Sequence, residues 1–203
     1  MLQQFAKTQG KKISLKKNMM VFQAGDAPTH FYFLESGYIK IFQEAENGQA
    51  ITLALFKAGQ VFGLAELLAK QATRERYAAG LVDITFYSVT AEQLSTYLEQ
   101  EPILWQSLSQ LMAQRLIDTQ NLVKTLTSLP VPQRLGWFLQ QFATQKNDWE
   151  IIIELPLSHE EISFLINCSR QKVTSNLNRW RKEGYIAYER GKIEVLHPDK
   201  VFI

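Results

Sequence analysis

The sequence predicts an α+β protein with three parts: an N-terminal domain of short strands, one long helix, and a small C-terminal domain of helices and strands. Short apolar runs separated by turn residues fill residues 13–90, as in an all-β domain. From Pro102 the apolar residues recur every three or four positions, which is the helical period. After Pro130, amphipathic helical segments precede two more short strands.

The N-terminal strands are predicted from apolar runs between glycine-containing turns: MMVF, FYFL, YIKIF, ITLALF and DITFYSV. The strongest turn signal is Asn47-Gly48, because both residue types tolerate the positive φ of a tight hairpin. Many short strands with regular turns predict a sandwich, a roll or a barrel. The following run, TAEQLSTYLEQE, is predicted to be helical.

The long helix is predicted from Pro102, whose missing N–H costs nothing at a helix start. Its roughly 27 residues span roughly 40 Å at about 1.5 Å per residue, more than the average globular helix. A stripe of this length favours a helix–helix dimer seam, with a long core helix within one chain as the alternative. The stripe consists of Leu104, Leu108, Leu111, Met112, Leu116, Leu122, Val123 and Leu126.

Pro130-Val131-Pro132 ends this helix and predicts a stiff hinge between domains. Residues 134–144 are again amphipathic, Asn147-Asp148 predicts a turn, and EIIIELPL predicts a short strand. The predicted divisions are a β domain, a dimerisation helix and a C-terminal domain, at residues 1–100, 101–129 and 130–203.

Two short helices are then predicted from their end signals. The segment SHEE, which begins at Ser158, has the capping-box spacing and starts a helix over EEISFLI. Asn167-Cys168 is a short turn, and Ser169 caps a second helix that Gly184 ends. Two short helices joined in this way form the helix-turn-helix pattern. The strands YIAYE and KIEVL, with a turn at Arg190-Gly191, form a β-hairpin, or wing.

The second helix is predicted to enter the major groove of double-stranded DNA, because it is basic and has no acid before Glu183. Arg170 suits guanine and Gln171 suits adenine, whereas Ser169 and Lys172 suit phosphates. The alternative is an ordinary amphipathic surface helix. The predicted DNA-binding residues are Ser158, His159, Ser169, Arg170, Gln171, Lys172, Thr174, Ser175 and Arg179.

Composition limits the other possibilities. The net charge is +2, so a nucleic-acid site has to come from local clustering of charge. The single cysteine, Cys168, excludes an internal disulfide and a Cys-rich metal site, and is expected to pack within its turn. An enzyme is not expected, since the sequence has no nucleophile–base pattern, HExxH spacing or phosphate loop.

The cellular location is predicted from the lack of membrane-spanning and secretory signals in the sequence. No apolar run approaches the roughly 20 residues of a membrane helix. The N-terminal lysines have no apolar region after them, so a secretory signal is not expected. We expect these lysines to form a solvated arm and the protein to be cytoplasmic.

The segment SHEEISFLINCSRQKVTSNLNRWRKEGYI resembles the winged helix-turn-helix of the Crp/Fnr regulators, the cyclic-AMP receptor protein family. Cys168-Ser169-Arg170 followed by Val173 is its most specific part. Independently, HFYFLESGYIKIF and NGQAITLALFKAGQVFG resemble the double-stranded β-helix of that family, and the long stripe resembles its dimerisation helix. The shared glycines are Gly37, Gly48, Gly59 and Gly63.

The resemblance implies a double-stranded β-helix (jelly-roll) sensor domain, a long dimerisation helix and a C-terminal winged helix-turn-helix. It implies a homodimeric transcription factor on palindromic DNA, with two reading helices one duplex turn, roughly 34 Å, apart. A small-molecule effector inside the β-roll would reset the long helices and re-aim the reading helices. RNA polymerase is a further possible partner, although the sequence does not identify a loop that contacts it.

The effector site departs from the family pattern. Cyclic-nucleotide members have Phe-Gly-Glu, whose Glu binds the ribose; here Phe62-Gly63-Leu64 leaves that hydroxyl unpaired, at a cost of about 1–3 kcal/mol. Family members clamp the cyclic phosphate with Arg-Ser or Arg-Thr. Those places fall on Arg74-Glu75, where the carboxylate repels a phosphate. If the loop has an insertion, they fall on Arg76-Tyr77 instead. Cyclic AMP is therefore not expected as the effector. Glu66 is expected to be a solvated or helix-capping charge.

Arg115 and Thr119 match family positions that face the nucleotide, with helix-surface or dimer contacts as the alternative. No cofactor is certain and the effector is unknown, so a regulator without an effector stays open. A haem gas sensor with His30 as axial ligand and a cyclic-nucleotide-binding module that acts through protein contacts are further alternatives. The implied effector-pocket residues are Gly63, Leu64, Arg74, Glu75, Arg115 and Thr119.

DNA specificity is also expected to differ from that of well-known members. The reading helix of those members has Arg, Glu and Arg at the places of Arg170, Gln171 and Ser175. The first arginine is kept, which implies a changed half-site that still contains a guanine opposite Arg170. His159 suits a phosphate contact at the start of the first helix, and His197 is expected to be a loop residue.

Overall fold

Eight antiparallel strands and three short helices form the N-terminal part of the chain, and a second group of helices and strands follows a long helix. A computed structural model describes residues 1–145, 151–189 and 192–202. The helices are α1 (Leu2–Gln9), α2 (Leu64–Leu68), α3 (Ala91–Gln100), α4 (Ile103–Ser128), α5 (Val131–Gln140), α6 (His159–Leu165), α7 (Arg170–Lys182) and α8 (Pro198–Val201).

The strands form three four-stranded antiparallel sheets. The first eight strands are β1 (Lys11–Leu15), β2 (Met20–Phe22), β3 (His30–Ser36), β4 (Tyr38–Glu44), β5 (Ala50–Lys57), β6 (Val61–Phe62), β7 (Tyr77–Gly80) and β8 (Ile84–Thr90). The C-terminal sheet has β9 (Ala143–Gln145), β10 (Ile151–Glu154), β11 (Ile186–Glu189) and β12 (Lys192–Val195), in the order β11-β12-β10-β9.

The N-terminal strands form two sheets, with orders β1-β8-β3-β6 and β2-β7-β4-β5, that share one apolar core. Phe22, Ile39 and Ala78 come from one sheet, while Leu34 and Phe86 come from the other. Two packed antiparallel sheets of eight strands in total make a jelly roll. The predicted β domain is confirmed.

The β4–β5 hairpin turns at the predicted Asn47-Gly48, but the loop is longer than a two-residue turn. Ala45 donates its N–H to the Gln49 carbonyl at 2.9 Å, and of the two predicted residues only Gly48 has a positive φ, +77°. The Asn47 side chain instead accepts the Gln49 N–H at 3.0 Å. A three-residue loop with glycine in the left-handed region is the next commonest hairpin, so the position was predicted correctly and the turn type was not.

The prediction of a solvated N-terminal arm is wrong. Residues 2–9 form helix α1, which buries Leu2, Phe5 and Ala6 in the core of the β domain. The Phe5 ring stacks on Tyr97 of α3 with 3.9 Å between ring centres. Apolar residues at helical spacing thus outweighed the local density of lysines.

Helix α4 confirms the predicted long helix, and Pro130 ends it and becomes the N-cap of α5. The amphipathic helix predicted over residues 134–144 ends earlier, at Gln140, because Ala143–Gln145 pair with β10 as an edge strand. Gly136 lies against the backbone of α8, where an added Cβ would be 1.9 Å from the Val201 carbonyl oxygen. The turns predicted at Asn147-Asp148 and Arg190-Gly191 lie outside the described residues.

The chain divides into two compact units, Met1–Ile117 and Asp118–Ile203, and α4 contributes to both. The predicted division at residues 1–100, 101–129 and 130–203 stays a prediction. Among the described residues, no helix is both long and apolar enough to cross a membrane.

Candidate functional site

The helix-turn-helix is built from two capped helices and a tight turn. Ser158 Oγ accepts the Glu161 N–H at 3.1 Å, and the Glu161 carboxylate accepts the Ser158 N–H at 2.9 Å, which completes the predicted capping box. Asn167 makes the turn with a φ of +50°, and Ser169 Oγ accepts the Lys172 N–H at 3.4 Å. These local bonds satisfy amide groups that a helix start otherwise leaves unpaired.

Helix α7 separates an apolar face from a cationic one. Val173, Leu177 and Trp180 are at most 3% exposed. No acidic residue occurs between Arg170 and Lys182. The exposed side chains of α7 include Arg170, Gln171, Lys172, Ser175, Arg179, Arg181 and Lys182. The positive end of the helix dipole adds to this charge at the N-terminal turn.

The hydroxyls predicted to face DNA already donate within the protein. Ser175 Oγ donates to the Gln171 carbonyl at 2.6 Å, and Thr174 Oγ1 donates to the Arg170 carbonyl at 3.1 Å. Arg179 Nη2 donates to Asn176 Oδ1 at 3.0 Å. The guanidinium of Arg170 and the amide of Gln171 are both exposed in the first turn of α7.

His159 joins three elements through its ring. Its Nδ1 lies 2.9 Å from Thr174 Oγ1 on α7, and its Nε2 lies 2.8 Å from the Tyr188 hydroxyl on β11. Because Thr174 uses its proton on the Arg170 carbonyl, it accepts from His159 Nδ1–H, and Tyr188 then donates to Nε2. A phosphate contact by His159, which stays a prediction, would have to break one of these bonds.

Two titratable groups of this region have shifted pKa values. Burial, together with the nearby Arg170 guanidinium, lowers the pKa of His159 and so favours the neutral ring, in which Nδ1–H donates to Thr174 and Nε2 accepts from Tyr188. Burial raises the pKa of the Cys168 thiol, whose Sγ lies 3.5 Å from the Ser169 carbonyl oxygen. A half-buried thiol of this kind fits the predicted packing role.

The implied effector site is centred on a buried arginine. Arg74 is 2% exposed, and its Nη1 donates to the Gly63 carbonyl and to Glu66 Oε2, both at 3.0 Å. Its Nη2 donates to the His30 carbonyl at 2.5 Å. The Phe22 ring lies over the guanidinium at 4.2 Å.

Glu66 is therefore not the solvated or capping charge that the sequence suggested. Its side chain is only 11% exposed and forms an ion pair with Arg74. Gly63, with φ of +74°, is the N-cap of α2, so Glu66 falls in the first turn of that helix, and the Gly63 carbonyl shares the Arg74 guanidinium with it. Periodicity could not predict this pair, because α2 is only five residues long.

The other implied pocket residues are placed differently. Leu64 is 1% exposed and packs in the apolar core. The Glu75 side chain is 63% exposed. Arg115 donates from Nη2 to the Val61 carbonyl, and its guanidinium lies 4.9 Å from the Phe56 ring centre. Thr119 is exposed on α4, in the second unit.

His30, the candidate haem ligand, lies at the start of β3 and is half-buried. Its Nδ1 is 2.9 Å from Thr29 Oγ1, and its backbone carbonyl accepts from Arg74. Within the described part of the chain, no group of three or more His, Cys, Asp or Glu residues could hold a metal ion. The role of His30 as a haem ligand stays a prediction.

Two family models match the chain. Residues 12–101 match the cyclic nucleotide-binding domain, and residues 133–201 match the Crp-like helix-turn-helix domain. The global nitrogen regulator of Synechococcus elongatus is 30% identical over 188 residues, which cover 90% of this chain and 84% of the relative. The cyclic AMP receptor protein of Thermus thermophilus is 25% identical over 175 residues, 86% of this chain and 79% of the relative.

Solved structures share the fold over almost the full length. FixK2 from Bradyrhizobium japonicum superposes with a TM-score of 0.81 at 15% identity, covering 96% of this chain and 98% of that one. At such identity the likeness shows the fold alone. The predicted sensor-like jelly roll, long helix and winged helix-turn-helix are confirmed by these matches.

The depressed pKa of His159 predicts how stability depends on pH. The unfolded chain binds a proton on this imidazole more readily than the folded chain, so stability is full above the ordinary pKa of about 6.5 and falls as pH drops through the folded pKa. We expect the urea midpoint to fall between pH of about 7 and about 5, and less so in His159→Gln. If the urea midpoint changes with pH equally in the wild type and in His159→Gln, the prediction is contradicted. Both proteins contain His30 and His197, so the difference between them reports on His159.

Proposed function

The chain belongs to the Crp/Fnr family of transcriptional regulators, and on that basis we propose that it binds a palindromic DNA operator as a homodimer, with α7 in the major groove. The observation that carries this proposal is the exposed, acid-free cationic face of α7 opposite its buried apolar face. With a net charge of only +2, such a face reflects placement of charge rather than overall excess.

Sequence reading is assigned to the first turn of α7. The guanidinium of Arg170 has the geometry to pair with guanine O6 and N7. The amide of Gln171 has the geometry to pair with adenine N6 and N7. Lys172, Ser169 and Arg179 are assigned to phosphates, which fix the register on the duplex without reading sequence.

Leu104 and Leu108 of the predicted stripe are buried in the core of their own chain, so that part of the stripe is a core face and not a dimer seam. The homodimer is therefore proposed from a stripe on α4 that is more exposed. Trp105, Leu116 and Val123 are 53%, 60% and 55% exposed, although all are large and apolar. The exposed Thr119 and the half-buried Met112 and Leu126 continue the same stripe, and Met112 also packs against the core of its own chain. The six residues are separated by seven, four, three, four and three positions. This is the heptad pattern of a coiled-coil seam, and a second copy of α4 offers the complementary surface. A two-fold dimer of this kind matches a palindrome with half-sites about 34 Å apart.

We propose further that cyclic AMP is not the effector. Its phosphate would have to displace the Glu66 carboxylate from Arg74, whose remaining bonds go to two backbone carbonyls. Separating a buried ion pair leaves a charge unpaired, at a cost of about 3–5 kcal/mol. An effector of other chemistry, or none, fits this site better. RNA polymerase remains a proposed partner.

The two alternatives within this fold have weaker support. A haem sensor rests on His30 alone, whose Nε2 would have to bind the iron while Nδ1 stays hydrogen-bonded to Thr29. A module that acts only through protein contacts does not need the cationic face of α7. Mobility-shift assays with random genomic fragments test the DNA-binding proposal directly, and the absence of any retarded fragment would favour the module.

Substitutions in the first turn of α7 should separate base reading from phosphate contact. Arg170→Ala is expected to cost about 1–3 kcal/mol and to relax specificity at one base pair. Lys172→Ala should weaken binding to all sequences and reduce the salt slope by about one. Anisotropy titrations over a range of salt concentrations measure both effects, with Lys7→Ala in the other unit as the control for loss of one charge. Unchanged operator binding by Arg170→Ala would contradict the placement of α7.

A charged seam should prevent dimerisation. Leu116→Glu combined with Val123→Glu places four like carboxylates in the proposed interface of two copies, and we expect a monomer that loses operator affinity. Analytical ultracentrifugation gives the mass, and Gln110→Glu, an exposed position on a different face of α4, is the matched control. A double variant that stays dimeric would exclude this stripe as the seam.

Calorimetry should find no tight binding of cyclic AMP, because Arg74 is already bonded to Glu66 and two carbonyls. Operator affinity should be the same with and without the nucleotide. The same protein sample titrated with operator DNA provides the control for activity. Tight binding that also strengthens operator binding would refute this part of the proposal.

A further inference from the structure

A single arginine side chain bonds to the ends of two different helices. Arg134 lies in the first half of α5, and its Nε donates to the Leu129 carbonyl at 2.7 Å, one residue beyond the end of α4. Its Nη1 donates to the Asn167 carbonyl at 3.0 Å and to the Ile166 carbonyl at 3.3 Å. Ile166 is the C-cap of α6 and Asn167 begins the turn to α7.

The chemistry of these three acceptors explains why an arginine occupies this position. The last carbonyls of a helix have no partner within the helix, and they form the negative end of its dipole. Pro130 and Pro132 contribute no backbone N–H just after α4, so donors are scarce there. A planar guanidinium carries several N–H groups in a fixed fork, and it can therefore hold acceptors from two segments at a fixed separation.

The turn that Arg134 contacts is itself constrained. Asn167 has a φ of +50°, a region that residues other than glycine seldom adopt, and its carbonyl is the acceptor closest to Nη1. Ile166 is fully buried next to it. A shift of this turn would move the start of α7, because only Cys168 and Ser169 separate Asn167 from Arg170.

We propose that Arg134 is a positioning residue that fixes the start of the reading helix relative to the end of α4. The proposal rests on the proposed function, since it concerns the spacing of two reading helices in a dimer joined through α4. In such a dimer the offset between α4 and α7 sets the distance between the two base-reading turns. Arg134 therefore determines how strictly the protein discriminates among operators with different spacing between half-sites, although it lies outside the cationic face of α7.

The test uses the operator that the full-length wild-type protein selects from random duplexes, and two versions with one base pair added to or removed from its centre. Binding of each by wild type, Arg134→Gln and Arg134→Lys is measured by anisotropy. We expect wild type to prefer the selected spacing, and Arg134→Gln to bind that operator about tenfold more weakly, the scale of one lost charged hydrogen bond. Arg134→Gln should also lose most of the preference for spacing, while its affinity for random DNA and its salt slope stay unchanged.

The outcomes distinguish this inference from the proposed function. If the wild-type protein binds no operator, or binds all three spacings equally, the proposed binding of DNA as a homodimer is contradicted. A wild-type preference that Arg134→Gln fully retains overturns the positioning role alone. Arg134→Lys keeps the charge but lacks the fork, so it should fold normally and still relax the spacing; if Arg134→Gln unfolds, this variant decides the question. Lys7→Gln, an exposed cation of the other unit, is the control for loss of a charge.

Discussion

The cationic face of α7 depends on the burial of its opposite face. Val173, Leu177 and Trp180 remove their apolar surface from water, and this burial holds the helix while five basic side chains stay in solvent. Without that anchor, a helix with this density of like charge would have little reason to form, because neighbouring cations repel one another. The caps, the turn and the wing all serve to present this one helix.

Local chemistry made much of the fold predictable. Capping at Ser158 and Ser169, the left-handed Asn167 and the period of α4 all depend on residues a few positions apart, so the sequence carries them directly. Contacts between residues far apart in sequence could not be predicted from these local signals. His159 meets Tyr188 across 29 positions and Arg134 meets Asn167 across 33, and neither spacing has a helical or strand period. The packing of α1 on the β domain was not predicted for the same reason, because the residue that Phe5 contacts, Tyr97, lies far along the chain.

The two predicted sites differ in how far sequence reasoning reached. In α7 the exposed residues follow from helical spacing alone, so Arg170, Gln171 and Lys172 were identified together. In the β domain the resemblance to the family pattern pointed to Arg74 but missed its partner, because Glu66 becomes a neighbour only when α2 begins at Leu64. A buried guanidinium requires compensation, and here the protein supplies it from its own carboxylate and two carbonyls.

The same kind of bonding occurs within each unit. Arg74 and Arg134 each bond to backbone carbonyls of separate segments, and His159 joins α6, α7 and the wing through its ring. None of these bonds uses the side chains of Arg170 or Gln171. The residues that hold the reading helix are therefore distinct from those assigned to base reading. Under the proposed function, such a division would let the side chains assigned to bases change with little effect on the fold.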